Sequence, residues 1–278
     1  MTTKEAWMQP KPDFLSGEAG AAFQDADVAA VYRHRPTYPP AVFDILATLV
    51  VDQPRHVLDV GCGTGFLARH LVERVEHVDA LDIARAMIEQ GKCLPGGDHP
   101  GLTWLVGSAE DAALRPPYAL ITAGDSLHWM EWPVVLPRFV RMLTPRGSLA
   151  ILGVDQLPAP WDEALWPLRR RYSIIPNWQY YDLVAGLEER GLFRRVGAQR
   201  TEPVSFTQSL ADYVESFHGR AAFARARMDP AAAMAFDAEV RALVAPYCRD
   251  EETVALRLVT EVVWGTPLNP TEPLQDPD

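Results

Sequence analysis

The chain has 278 residues, 48% of them hydrophobic and 23% charged, which are the proportions of a globular protein and exclude fibrous or wholly disordered classes. A formal net charge of -11 argues against a surface that follows nucleic-acid phosphates, because such binding draws on clustered Lys and Arg. Cys62, Cys93 and Cys248 show neither CxxC nor Cys/His ligand spacing, so neither a disulfide framework nor a metal site is expected. No stretch approaches the roughly 18 apolar residues of a membrane span, and the first residues lack the apolar run of a signal peptide. A cytoplasmic protein with a small-molecule partner, and neither nucleic acid nor membrane, is the expectation; oligomeric state is not legible.

Residues 1–18 are polar and proline-containing and read as a flexible leader. Val42, Ile45, Leu46, Leu49 and Val50 then recur at helical spacing, and the run His56 to Val60 has strand length and ends in glycines. Phe66, Leu67, His70 and Leu71 restart the helical period. His77 to Leu81 is a second short run ending in Asp82, and Met87 and Ile88 belong to another helix. Leu102 to Val106, Tyr118 to Ala123 and Ser148 to Val154 predict three further strands, the last two separated by a helix through Phe139 and Leu143. Five strands alternating with helices predict a parallel sheet covered on both faces.

After Asp155 the rhythm changes. Residues 158–246 are mostly helical in pattern and crowded with aromatics, with one strand-like run at Val204 to Phe206. They read as a cap inserted before a final strand, Leu256 to Trp264. The expected division is a core over 19–157, the cap over 158–246, a final strand region over 247–266 and a flexible, proline-rich tail over 267–278. Arg169, Arg170 and Arg171, inside a helical pattern, read as a solvated face.

The strongest local signal is Val57-Leu58-Asp59-Val60-Gly61-Cys62-Gly63-Thr64-Gly65, a strand entering a glycine-rich turn that opens a helix. Glycines there allow a sharp turn and close approach of backbone to a ligand. A dinucleotide fingerprint would place its third glycine at position 66, where Phe66 stands, so a hydride-transfer cofactor is disfavoured.

Asp59-x-Gly61-x-Gly63-x-Gly65 resembles motif I of the class I S-adenosylmethionine-dependent methyltransferases. Asp82, in Leu81-Asp82-Ile83, stands where that family's acidic residue bonds the ribose hydroxyls. Gly107-Ser108-Ala109-Glu110-Asp111 is similar to its adenine-edge loop. Gly124-Asp125-Ser126-Leu127-His128-Trp129 and the leader Tyr32 to Pro39 resemble a subgroup of trans-aconitate and related small-molecule methyltransferases. The resemblance implies an α/β, doubly wound, Rossmann-like fold: a mostly parallel seven-stranded sheet with a helical cap insertion. It implies S-adenosyl-L-methionine as cofactor, bound by Tyr32, Arg35, Asp59, Gly61, Cys62, Gly63, Gly65, Asp82, Ile83, Met87, Ala109, Glu110, Gly124, Asp125 and Ser126.

A sulfonium donor is already electrophilic, so the protein's task is alignment and exclusion of water. His128 is the candidate base, needed for a hydroxyl or ammonium acceptor and not for a carboxylate. By position, Tyr172, Trp178, Tyr180, Tyr181 and His218 of the cap are the candidate substrate residues. Two alternatives stay open: a non-methylating use of the same cofactor, by cyclisation or aminocarboxypropyl transfer, and a non-catalytic binding protein.

Overall fold

The computed structural model describes residues 6–250 and 252–270. Short helices α1 (Gly17–Gly20) and α2 (Ala26–Val31) precede α3 (Ala41–Leu49). The alternating part follows as β1 (His56–Val60), α4 (Ala68–Leu71), β2 (His77–Asp82), α5 (Arg85–Cys93), β3 (Leu102–Val106), β4 (Tyr118–Gly124), α6 (Trp132–Met142) and β5 (Leu143–Leu152). The remainder comprises β6 (Asp155–Gln156), α7 (Asp162–Tyr172), α8 (Leu183–Glu189), β7 (Phe193–Arg200), β8 (Val204–Ser209), α9 (Leu210–His218), α10 (Pro230–Val244), β9 (Thr253–Val259) and β10 (Glu261–Pro267).

Among the described residues one sheet has seven strands in the order β3-β2-β1-β4-β5-β10-β7. Strands β1 to β5 pair in parallel, and β10 runs antiparallel to both of its neighbours. The central strands are mostly apolar because helices cover both faces. Adjacent residues of β1 show this: Leu58 enters a core with Met87, Ile121 and Phe139, while Val57 enters the opposite one with Leu46, Leu71 and Leu120. The sheet order reverses between β1 and β4, so a crevice opens at their C-terminal ends, where open α/β sheets bind ligands.

Two expectations need correction. The single final strand Leu256 to Trp264 is two strands in different sheets: β9 joins a small antiparallel sheet, β6-β9-β8, and β10 enters the large one. The crossing point is Thr260, fully buried, whose N–H donates to Thr201 Oγ1 at 3.1 Å and whose carbonyl accepts from Thr201 N–H at 2.9 Å. Residues 158–246 are also not one insertion, because α8 and β7 lie within them and β7 forms an edge of the large sheet. Strand β7 carries Arg194, Arg195 and Arg200, exposes most of its residues and is held by its ladder to β10, so it lacks an apolar alternation. The cap is therefore built from two stretches of chain and mixes α and β. Its own core gathers Trp161, Tyr213, Phe217, Phe223, Phe236 and Leu256.

The described part of the leader is packed rather than loose. Phe14 and Leu15 are buried, and Lys11 Nζ donates to the carbonyls of Trp129 and Met130 at 3.2 and 3.0 Å. The ion pair Arg227–Asp25 at 2.6 Å and the contact between His34 Nδ1 and the Asp212 carboxylate at 2.9 Å join the stretch after it to the cap. Residues 1–5 of the expected leader and 271–278 of the expected tail lie outside the described residues. No helix among the described residues is long and apolar enough to cross a membrane.

Candidate active site

Strand β1 delivers the chain into a turn in which Gly61 and Gly63 take φ of +64° and +55°. A side chain at Gly61 would put its Cβ 2.5 Å from that of Ser126, so the turn can press against the loop after β4 because position 61 has none. Ser126 closes the contact by donating its hydroxyl to the Val60 carbonyl at 2.6 Å. Gly65 has a different role from the one expected. Its Cβ would lie 2.3 Å from the Trp104 ring, so this glycine packs the turn on β3 and does not line the cleft.

Asp82, at the end of β2, accepts the Gly63 N–H on one oxygen and the Ala84 N–H on the other, both at 2.7 Å. It thereby fixes the glycine turn relative to the loop before α5. Burial pushes its carboxyl up, against the pull of those two amides. Each oxygen keeps a second lone pair, which suits a vicinal diol. Around it a cleft of about 250 Å³ is lined by Tyr32, Gly61, Gly63, Asp82, Ile83, Met87, Ala109, Glu110, Gly124, Asp125 and Ser126 from the expected set. Glu110 accepts the Ser108 hydroxyl and, at 2.9 Å, the Glu131 N–H, so the loops after β3 and β4 meet at its carboxylate.

Arg35, Asp59 and Cys62 sit behind the glycine turn in a small adjoining cavity with Tyr38 and Val154. Asp59 is buried and accepts the Thr122 hydroxyl at 2.8 Å; burial pushes its carboxyl up to about 7, against that bond. Burial likewise pushes the Cys62 thiol well up, which keeps it protonated. Arg35 lies over the Tyr32 ring, donates to the Tyr32 hydroxyl at 3.3 Å and pairs with Asp125 at 3.6 Å. Asp125 itself takes a positive φ of 50°, strain of the kind that active-site loops hold. Residues that sequence reasoning missed also line the cleft: Gly17, Gly20, Phe23, Trp129 and Met130. They come from the leader and the turn after β4, and nothing local in the sequence singles the leader residues out.

A second cavity, of about 210 Å³, shares Phe23, Asp125 and Trp129 with the cleft. Its other lining residues include Arg35, His128, Arg169, Trp178 and Arg220. Of the candidate base and the candidate substrate residues, His128 and Trp178 line this cavity. Burial pushes the His128 pKa down to about 4, with Arg35 and Lys11 acting in the same direction and Asp125 opposing. At pH 7 the ring is neutral, and it is a weak base.

The remaining cap candidates are elsewhere. Tyr180 is 83% exposed. The Tyr172 ring packs on Phe236, and its hydroxyl donates to Glu239 at 2.6 Å. Tyr181 stacks on Trp132 and accepts from Arg190 at 3.0 Å. His218 is buried and satisfied by the Phe223 carbonyl at 2.7 Å and Asp237 at 2.6 Å, which makes it a fixed part of the cap core. The arginine run also departs from a uniformly solvated face. Arg170 is exposed and Arg171 pairs with Glu239, but Arg169 turns inward to the second cavity.

A doubly wound sheet with one antiparallel strand, a glycine turn after β1 and an acid ending β2 resemble the arrangement of class I methyltransferases. Residues 57–147 match the protein family described as a methyltransferase domain. The chain is 34% identical over 103 residues to a malonyl-acyl-carrier-protein O-methyltransferase of Anoxybacillus flavithermus, covering 36% of this chain and 39% of that protein. It is 27% identical over 209 residues to a trans-aconitate 2-methyltransferase of an Acidovorax species, covering 69% of this chain and 79% of that protein. In fold it is similar to a proposed type II methyltransferase of Anaeromyxobacter dehalogenans, with a TM-score of 0.59 at 24% identity, covering 84% of this chain and 99% of that one. The chain spans less than half the length of the first curated relatives it matches, 39% and 49%.

Proposed function

We propose that the protein binds S-adenosyl-L-methionine in the cleft after β1 to β4 and transfers its methyl group to a small-molecule acceptor in the second cavity. The observation that carries this reading is the lining that the two cavities share, Phe23, Asp125 and Trp129, so that molecules in the two would lie against the same three residues. When bound, the cofactor supplies a methyl group on a sulfonium, which needs no activation by the protein.

The residues suit such a ligand. Asp82 has lone pairs free for the ribose hydroxyls while its amide bonds hold it still. A Cβ at Gly63 would meet the Tyr32 ring at 3.6 Å, an ordinary contact, so it is the φ of +55° that calls for glycine there. Ile83, Met87, Ala109 and Glu110 offer apolar faces and a polar edge to a purine. Tyr32, Arg35 and Asp125 form a charged cluster for the amino-acid end. Orientation and exclusion of water are the protein's part, and a largely apolar cleft under Phe23 and Trp129 provides both.

Calorimetric titration of the full chain with S-adenosylmethionine tests the reading. Binding is expected, with Asp82→Ala weakening it about 100-fold, since hydrogen bonds to a charged group contribute about 1.5–3 kcal/mol each. Turnover with a panel of small acids, amines and phenols should release S-adenosylhomocysteine; methylthioadenosine would assign aminocarboxypropyl chemistry instead. Absence of cofactor binding by the unaltered chain would sink the proposal.

A further inference from the structure

The second cavity holds three guanidinium groups, and they are not balanced. Arg35 faces Asp125 at 3.6 Å, and Asp125 is the one carboxylate residue lining this cavity. Arg169 and Arg220 form no hydrogen bond and no ion pair through their side chains among the described residues, and the Nε of each is sealed from solvent without a partner. Ring faces hold them instead. Arg169 lies over Trp166 at 5.6 Å and over Trp178 at 5.2 Å, and Arg220 lies over Phe217 at 5.4 Å. Stacking of this kind orients a guanidinium while leaving its planar fork of N–H donors free.

An arrangement like this is unfavourable as it stands. Burial, together with the neighbouring Arg35 and Arg169, pushes the Arg220 pKa down to about 9, the mark of a cation lacking its counter-charge. The setting is unusual for a chain whose formal charge is -11. Two oriented forks with unmet donors match the two oxygens of a carboxylate, or the oxygens of a phosphate, in bidentate geometry.

We propose that the methyl acceptor is a small organic anion, and that Arg169 and Arg220 clamp its oxyanion while Trp178 and Phe223 bound its carbon part. This rests on the methyl-transfer reading for the word acceptor; the clamp itself does not. Arg169 and Arg220 fix the position of the anion, and neutral His128 lies beside it. Arg169 and Arg220 also set the selectivity: a neutral or cationic molecule of the same shape leaves both forks unpaired.

Calorimetry on the full chain, with and without S-adenosylhomocysteine, provides the test, using benzoate against benzamide, succinate against succinamide, and inorganic phosphate. An anion is expected to bind at least tenfold more tightly than its neutral counterpart, and the carboxylate and phosphate arms separate the two oxyanion types. Arg169→Gln and Arg220→Gln should each weaken that anion at least tenfold, leave the neutral amide unchanged and keep S-adenosylhomocysteine affinity within twofold. Arg220→Lys should restore part of the loss.

A second measurement covers the possibility of misfolding. Removing an unpaired buried cation relieves the ligand-free protein, so Arg220→Met should raise its Tm by about 2–4 °C, whereas loss of an ordinary structural arginine lowers it. The proposal is overturned if amides bind as tightly as anions, or if the glutamine variants keep full anion affinity. It is equally overturned if those variants lose S-adenosylhomocysteine instead, which would place the two arginines on the cofactor's own carboxylate. An unaltered chain that binds the anion but not S-adenosylhomocysteine would remove the methyl-transfer reading and leave the clamp standing.

Discussion

The two cavities are built from different materials. The floor of the cleft after β1 to β4 is backbone: glycine turns, amides of Gly63 and Ala84, and a carboxylate locked between them, supplied by consecutive strand–loop units. The second cavity is side chain, assembled from Phe23 and Arg35 of the leader, Asp125 to Trp129, Arg169 to Trp178 on and after α7, and Arg220 to Phe223 after α9. A backbone-built site tolerates little change in shape, since its contacts depend on strand ends that a whole sheet positions. A side-chain-built site can be refitted by substituting a few arginines and aromatics, so one cleft can be combined with many second cavities.

That contrast can be broken by pH. Asp59, under the glycine turn, has its folded pKa raised to about 7 from an ordinary 3.8. Its contribution to stability is present in full below about pH 3.8 and is lost as pH rises through 7, by about 4 kcal/mol in all. Asp59→Asn mimics the protonated carboxyl, so thermal melts of the ligand-free protein should show the variant gaining on the parent as pH rises from 5 to 8. Parallel Tm curves for the two proteins would mean that the floor of the cleft carries no such charge.

Gly65→Ala probes the backbone more directly. Alanine at φ +73° is strained, and its Cβ would lie 2.3 Å from Trp104, so a loss of about 2–4 kcal/mol is expected in denaturant melts. Because Gly65 packs behind the turn, the folded variant should keep its affinity for acids in the second cavity. If acid binding fell in proportion, the two cavities would not be separable in the way their materials suggest.

The smallest effect, and the opposite sign, is expected at His128. Its folded pKa of about 4 lies below the ordinary 6.5, so stability present above pH 6.5 is lost as pH falls toward 4, by up to about 3 kcal/mol. His128→Asn should flatten that acid limb. In kinetics, the free-enzyme profile of kcat/KM should show no limb near pH 6.5, since the ring is neutral throughout the working range. A limb there that disappears in His128→Asn would instead assign His128 as an ordinary general base.

The cleft after β1 to β4 was legible for a physical reason. Strand β1 ending in Gly61 and Gly63, and strand β2 ending in Asp82, each need a particular residue type at a particular offset, so the requirement appears in the order of residues. The strand runs His56–Val60 and His77–Asp82 were readable because burial on both faces leaves mostly apolar stretches, and Leu102–Val106, a part-buried edge strand, because it is a short apolar run ahead of a glycine. Strand β7 was not, because an exposed edge with three arginines carries no such pattern. Gly65 shows the limit of motif reading, as its neighbour is Trp104, 39 residues away in the chain.

The sequence alone determined the alternating α/β core and the residues that surround Asp82, since those depend on period and turn chemistry within a few residues. Only the tertiary structure decided which side chains of the cap matter. It exposed Tyr180, satisfied His218 with Asp237, and turned Arg169 inward while its neighbours Arg170 and Arg171 faced out. Side-chain direction on a helix is set by what packs against it, and the partners of α7 and α9 come from distant parts of the chain.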